Sequence, residues 1–278
     1  MNIIKIILGG KMLTVLLKGG LGNQLFQIAA LINLAMENRQ VYFVDLNLWP
    51  PKGGAASEIW QAGNPKTYRD NVYRNLPLGH VKALKFSPSN IYREPHQEYR
   101  KIPFKDDLLL DGYFASEKYF KRAEGILREL FAPPLEYVEN FNSRYRGDGK
   151  ELVSVHIRRG SHLTNPDHHG SCPLEYYTKA MSKFDSNKTR FVVFSDDLDW
   201  CRENFENVEF SEGQQDFEDF YDMMLCDHNI IANSTFSWWS AWLNKNKNKK
   251  VISPEVWFGP ANAHLTINDL IPKEWILL

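Results

Sequence analysis

Met12-Leu-Thr-Val-Leu-Leu-Lys-Gly-Gly-Leu-Gly22 leads directly into Asn23-Gln-Leu-Phe-Gln-Ile-Ala-Ala-Leu-Ile-Asn-Leu-Ala-Met36, and Val41-Tyr-Phe-Val44 follows. The first stretch is an apolar strand stopped by a glycine turn. The second has good helix formers and helical apolar spacing, and the third is a second strand. Strand, glycine turn, helix and strand make a βαβ unit, which implies a parallel sheet.

Working outward, the same alternation returns after residue 149. Leu152–Ile157, Arg190–Phe194, Val208–Phe210, Asn229–Ala232 and Val251–Ser253 read as strands. Helices are expected over 173–184, 198–205, 217–225 and 236–243. Phe217, Phe220, Tyr221, Met224 and Leu225 mark one face of the third of these. The chain therefore reads as α/β, with two doubly wound units. The expected division is an extension over 1–11, a first domain over 12–148 and a second over 149–278. Residues 46–105 are proline-dotted and irregular, which fits long loops that carry specificity. A helix is expected over 117–131, and the polar stretch 140–149 reads as a linker.

Composition excludes several functions. The 33 Lys+Arg against 34 Asp+Glu leave no basic footprint, so nucleic acid is not an expected partner. Three cysteines cannot build a disulfide framework and fit a reducing, cytoplasmic compartment. The apolar N-terminal run, broken by Lys5 and Lys11, is too short to span a bilayer, and at most peripheral membrane association is expected. The 17 Phe, 12 Tyr and 8 Trp are the one excess, and they serve either cores or sugar faces.

Four polar clusters fall at strand ends, where parallel sheets bind ligands. Gly19–Gln24 offers the amides of Gly22, Asn23 and Gln24 at a helix N-terminus, suited to a phosphate. Asp45, after the next strand, stands where a ribose-binding acid would, which keeps a nicotinamide oxidoreductase open. His156 and Arg158 share one face of a strand, and a guanidinium can grip two phosphate oxygens. Arg159 reads as a surface or ion-pair residue. Ser195, Asp196 and Asp197 could accept from a purine edge or a ribose. Asp197-Leu-Asp199 also spells an acid-x-acid metal pattern, although an acid there can instead serve the start of a helix. Asn233–Ser237 follows a strand and opens a helix, where Ser234, Thr235 and Phe236 either cap it or cradle a diphosphate. Trp238, Trp239 and Trp242 have the spacing of a packed face. His162, His168, His169 and Cys172 crowd one loop without a zinc spacing.

Gly19-Gly-Leu-Gly-Asn-Gln-Leu-Phe-Gln27, Gly112-Tyr-Phe-Ala-Ser-Glu-Lys-Tyr-Phe120, His156-Ile-Arg-Arg-Gly160, Phe194-Ser-Asp-Asp197 and Ser234-Thr-Phe-Ser-Trp-Trp239 together resemble the ordered motifs of bacterial α-1,2-fucosyltransferases of glycosyltransferase family 11. The resemblance runs from about Val15 to Leu243. It implies a GT-B fold, two Rossmann-like domains facing across a cleft, with GDP-fucose as donor. A galactose-terminated oligosaccharide would be the acceptor, with inversion and no metal or other cofactor. By position, Arg158 would stabilise the departing GDP and His156 would contact the nucleotide. Asp196 or Asp197 would read guanine or ribose. Ser234, Thr235 and Phe236 would line the phosphates, and the Gly22 amide would close from the other domain. The family's Arg-Gly-Asp reads Arg159-Gly160-Ser161 here, so Ser161 lacks that charge, and Ala115 stands where the family often has an amide. Candidates for the base are His162, Asp167, His168 and Glu117. A fucosyltransferase of another linkage and a non-catalytic glycan-binding protein remain as alternatives.

Overall fold

The computed structural model describes residues 12–48, 63–80, 86–212 and 215–278. The expected extension 1–11 and part of the 46–105 segment lie outside them. The chain divides into two compact units between Leu130 and Phe131.

In the first unit, β1 (Met12–Val15) leads to α1 (Leu21–Asn38) and β2 (Val41–Tyr42). The later strands β3 (Ile91–Arg93) and β4 (Leu108–Asp111) complete a parallel sheet of order β2-β1-β4-β3. Helix α1 is apolar on nearly every side and is buried from Leu21 through Ala35, apart from Asn23. It packs on β1 and β2 and on the 117–123 segment, where the Phe26 and Phe120 rings meet at 5.8 Å. The helix expected over 117–131 is shorter. Two 3-10 turns, Glu117–Tyr119 and Lys121–Ala123, precede α2 (Glu124–Leu130). Phe120 between them has a non-helical backbone and is fully buried. Tertiary packing of that ring thus overrides the local helical pattern.

In the second unit, α3 (Leu135–Tyr145) occupies most of the expected linker. Phe141 and Tyr145 are buried with Leu152, Val192, Phe194 and Met223. That apolar face assigns the segment to the second unit and moves the division ahead of residue 148. β5 (Glu151–Ile157), α4 (Gly160–Thr164), α5 (Leu174–Met181), β6 (Thr189–Ser195) and α6 (Leu198–Asn204) follow. Then come β7 (Glu209–Phe210), α7 (Asp216–Leu225), β8 (His228–Ile230), α8 (Thr235–Leu243), β9 (Val251–Ser253) and β10 (Ile276–Leu277). The six strands are parallel in the order β10-β9-β8-β5-β6-β7. Register sets Ile157 beside Ser195 and Val155 beside Ile230, so β5, β6 and β8 end close together. Trp238, Trp239 and Trp242 are buried, and Trp238 Nε1 donates to Leu270 O at 2.9 Å. They are core, as their spacing implies. Cys172, Cys201 and Cys226 are free and buried. Among the described residues, no helix is long and apolar enough to cross a membrane.

Candidate active site

The glycine loop of the first unit is held from beneath by two glutamines. Gln24 Nε2 donates to Gly19 O at 2.8 Å and to Gly63 O, while Gln24 Oε1 accepts from the Tyr73 hydroxyl at 2.8 Å. Gln27 Oε1 accepts from Lys18 N at 3.0 Å and its Nε2 returns a bond to Lys18 O at 2.9 Å. Gly19 has φ +78°, a conformation that favours glycine, and a Cβ there would strike Asn23. The ladder of α1 begins with Gln24 N–H donating to Gly20 O, so the Gly22 amide lies ahead of it. Gly22 and Asn23 thus sit in the first helical turn. The Gln24 side chain is fully buried and shapes the loop. Asp45 is also buried. It accepts from Asn47 N at 2.8 Å and Asn47 Nδ2 at 3.0 Å, with His80 at 3.3 Å. Its carboxylate is engaged by its own turn and by His80. Glu117 lies in this unit and pairs with Lys121 at 2.9 Å.

In the second unit the other three clusters converge. Arg158, just past β5, reaches Asp196 Oδ2 at 3.0 Å, and Arg159 N donates to Asp196 Oδ1 at 2.8 Å. A side chain at residue 160 would place its Cβ 2.7 Å from Asp196 Oδ2, which explains Gly160. Arg159 Nε donates to Asp197 Oδ2 at 2.9 Å, and its guanidinium lies 3.9 Å from the Trp200 ring centre. Asp197 N donates to Ser195 Oγ at 3.0 Å, and Asp197 Oδ1 caps α6 by accepting from Trp200 N. The Arg159 hydrogen bond holds the Asp197 carboxyl below its ordinary range. Both acids therefore serve arginines, and Asp197 also serves a helix start. Asp199 is 95% exposed and pairs with Arg202, so Asp197-Leu-Asp199 is not a converging pair. Among the described residues, no group of three or more His, Cys, Asp or Glu is placed to hold a metal.

His156 lies in the buried end of β5, where Nδ1 meets Ser237 Oγ of α8 at 2.8 Å. Burial, then the nearby Arg158, lowers its pKa to about 3, so it is neutral at pH 7. Its ring touches Phe236 at 5.7 Å. Ser234 precedes α8 but its hydroxyl makes no capping bond. The ladder of α8 begins at Trp238 N–H to Ser234 O, leaving the Phe236 and Ser237 amides ahead of it. Ser234, Thr235 and Phe236 are only half-buried. A helix start with a positive dipole end thus lies close to the neutral His156 and to Arg158, and such a site suits an anion.

Asn233 organises the adjoining loop, donating to His169 O at 2.8 Å, Gly170 O at 3.0 Å and Trp257 O at 2.9 Å. Cys172 Sγ donates to its Oδ1. His162 stacks on His169 with ring centres 5.2 Å apart, and its Nδ1 is buried with no partner among the described residues. Burial first, then His169 and Arg158, lowers the His162 pKa to about 4. Asp167 and His168, further along the same stretch of chain, are exposed. The sequence places Asn233 and Ser237 within the fourth polar cluster, Asn233–Ser237, and Gln27 at the end of the glycine motif, but does not mark any of them as a positioning residue. Their partners are mostly backbone carbonyls or distant side chains, for which a linear motif has no mark.

Two parallel α/β units, the second gathering an arginine, a histidine and a helix start at its strand ends, are the architecture of the GT-B type. The chain belongs to glycosyl transferase family 11, whose model matches residues 5–278. It is 31% identical to an alpha-1,2-colitosyltransferase of Escherichia coli, over 94% of this chain and 96% of that one. It is 30% identical to the galactoside 2-alpha-L-fucosyltransferase SEC1 of Bos taurus, over 84% of this chain and 65% of that one. In fold it is similar to the fucosyltransferase NodZ from Bradyrhizobium, with TM-score 0.52 and 13% identity over 84% and 92% of the two chains. A NodZ alpha-1,6-fucosyltransferase crystal soaked with GDP-fucose matches at TM-score 0.50 and 13% identity, with the same coverage. Family membership sets aside the oxidoreductase reading.

Proposed function

We propose that this chain transfers L-fucose from GDP-fucose to O2 of a terminal β-galactoside, inverting the anomeric carbon without a metal. The observation that carries this reading is Arg158 at the end of β5, with the uncapped start of α8 in the same cluster. In fucosyl transfer the sugar becomes oxocarbenium-like while negative charge builds on the departing diphosphate. A guanidinium and oriented amides stabilise that charge where it develops. His156, kept neutral and tied to Ser237, adds no second positive charge and orients α8 against the strand end. Asp196 holds Arg158 at 3.0 Å before substrate arrives, so the guanidinium is positioned in advance.

The acceptor hydroxyl needs a base. An imidazole held near 4, as in His162, is little stronger as a base than a carboxylate. His162 and Asp167 therefore compete on position, and the acid limb of a kcat pH profile in each variant separates them. The likeness to a colitosyltransferase supports a second reading, in which the donor carries colitose. A thermal-shift screen with GDP, UDP, CMP and NADH tests the nucleotide, and only GDP should raise the melting temperature. Transfer to lactose from GDP-fucose or GDP-colitose, with linkage read by NMR, then tests the sugar and O2. Activity should survive excess EDTA. A loss that Mg²⁺ or Mn²⁺ restores would overturn the metal-free reading.

A further inference from the structure

β1, β4 and β3 lie side by side in the first sheet, so their carboxyl ends share one edge. Lys18 follows β1 and leads into the glycine loop, while Asp111 and Arg93 are the last residues of β4 and β3. Lys18 Nζ meets Asp111 Oδ1 at 2.6 Å, and Arg93 Nε lies 3.3 Å from Asp111 Oδ2. The turn that follows, Gly112-Tyr113-Phe114, closes back on Glu94, the residue after β3. Glu94 Oε2 accepts from Tyr113 N at 2.6 Å and from Phe114 N at 3.0 Å.

This turn is held on both sides of Tyr113. A Cβ at residue 112 would lie 2.4 Å from the Glu94 Cβ, so a side chain there would push the clamp apart. Phe114 has φ +52°, a conformation that a bulky residue rarely adopts. Its ring is fully buried and meets Tyr119 at 5.3 Å. A backbone of this kind persists only where its surroundings hold it, and functional sites collect such residues. Between these two fixed points Tyr113 is 43% exposed. Its ring centre lies 5.4 Å from Lys18 Nζ, so the ring flanks the approach to the glycine loop. The Lys18 and Asp111 side chains are 20% and 19% exposed, and a ligand resting on the ring can reach both.

The cluster selects its ligand. Lys18 and Arg93 are balanced by Asp111 and Glu94, so this edge does not favour an anion. An ammonium with protons to give and a carboxylate with lone pairs to accept suit neighbouring hydroxyls. The ring beside them suits the C–H face of a pyranose. An axial hydroxyl gathers the C–H bonds opposite it on one face, so a galactoside offers that face and a glucoside does not. We propose that Tyr113, with Asp111 and Lys18 at its side, is the platform that seats the terminal galactoside of the acceptor. This rests on the proposed transfer to a galactoside and adds the residues that choose the acceptor sugar.

The test has two arms, both on the full chain. In the first, saturation-transfer NMR compares methyl β-galactoside with methyl β-glucoside. The galactoside should bind at least about fivefold more tightly. Tyr113→Ala should remove that preference, and so should Tyr113→Leu, which keeps apolar bulk for the fold. Tyr113→Phe should keep it, because the ring face and not the hydroxyl is used. In the second arm, Tyr113→Ala should raise KM for lactose about tenfold or more, while KM for GDP-fucose stays within about twofold. The first arm needs no turnover and decides the proposal whichever sugar the donor carries. Equal binding of the two glycosides, or a preference that survives both Tyr113→Ala and Tyr113→Leu, would overturn it. So would a loss that falls on KM for GDP-fucose instead of lactose. A chain that binds galactoside in this way but gains no melting temperature from GDP would count against the proposed donor and leave Tyr113 in its role.

Discussion

Replacing Arg158 with alanine removes a guanidinium that is 35% exposed and paired with an Asp196 that is 26% exposed. A pair this accessible contributes roughly 0.2–1 kcal/mol to stability. One kcal/mol corresponds to roughly 2–4 °C in melting temperature for a domain of 150–250 residues. The fold should therefore lose no more than about 4 °C. Catalysis should lose far more, because removing one donor to a developing anion costs about 10²–10³ in turnover, or roughly 3–4 kcal/mol. The assay is GDP release from GDP-fucose with lactose, alongside a melting curve. The loss should lie in kcat more than in KM, since the interaction strengthens in the transition state. The substitution Arg158→Lys keeps a charge without the fork, so its turnover should fall between those of the parent chain and the alanine variant. Near-normal turnover in Arg158→Ala would refute the assigned role. A melting drop far beyond about 4 °C would show that the residue holds the fold instead.

Gln24→Leu removes hydrogen bonds to Gly19 O, Gly63 O and the Tyr73 hydroxyl, and should cost about 2–4 kcal/mol in urea unfolding. An unchanged midpoint contradicts the clamp. His156 and His162 have folded pKa values of about 3 and 4 against an ordinary 6.5, so the unfolded chain binds their protons first as pH falls. Their contribution is intact above pH 6.5 and declines from there toward about 4 for His162 and about 3 for His156, at up to about 1.4 kcal/mol per pH unit for each group. His162→Phe should flatten the stability slope between about pH 6.5 and 4.5, and an identical slope would count against the shift. Asn233→Ala severs three bonds to backbone carbonyls and should cost about 2–3 kcal/mol, with faster amide exchange around residues 168–172. Exchange unchanged in that loop would show that other contacts hold it.

The parallel α/β class was legible because it rests on local periodicity and on glycine turns. Strand–helix alternation from β5 to β9 matches the pattern read from the chain nearly element by element. The errors have one cause. Residues 140–149 look polar in sequence, yet α3 buries Phe141 and Tyr145 against β5, β6 and α7 residues that come later in the chain. Residues 117–123 have helical composition, yet seating Phe120 against Phe26 breaks the helix into turns.

The sequence by itself determined the two doubly wound units and the strand ends that bear polar groups, since both follow from spacing along the backbone. It could not show what each polar group faces, because those partners are far apart in sequence. Only tertiary structure paired His156 with Ser237, 81 positions away, and Arg159 with Asp197, 38 positions away. It also turned Gln24 and Asp45 inward, into the loop and turn they hold. A buried polar atom takes whichever partner the fold brings within hydrogen-bond reach, and that choice divides the groups able to meet a substrate from those that shape the site.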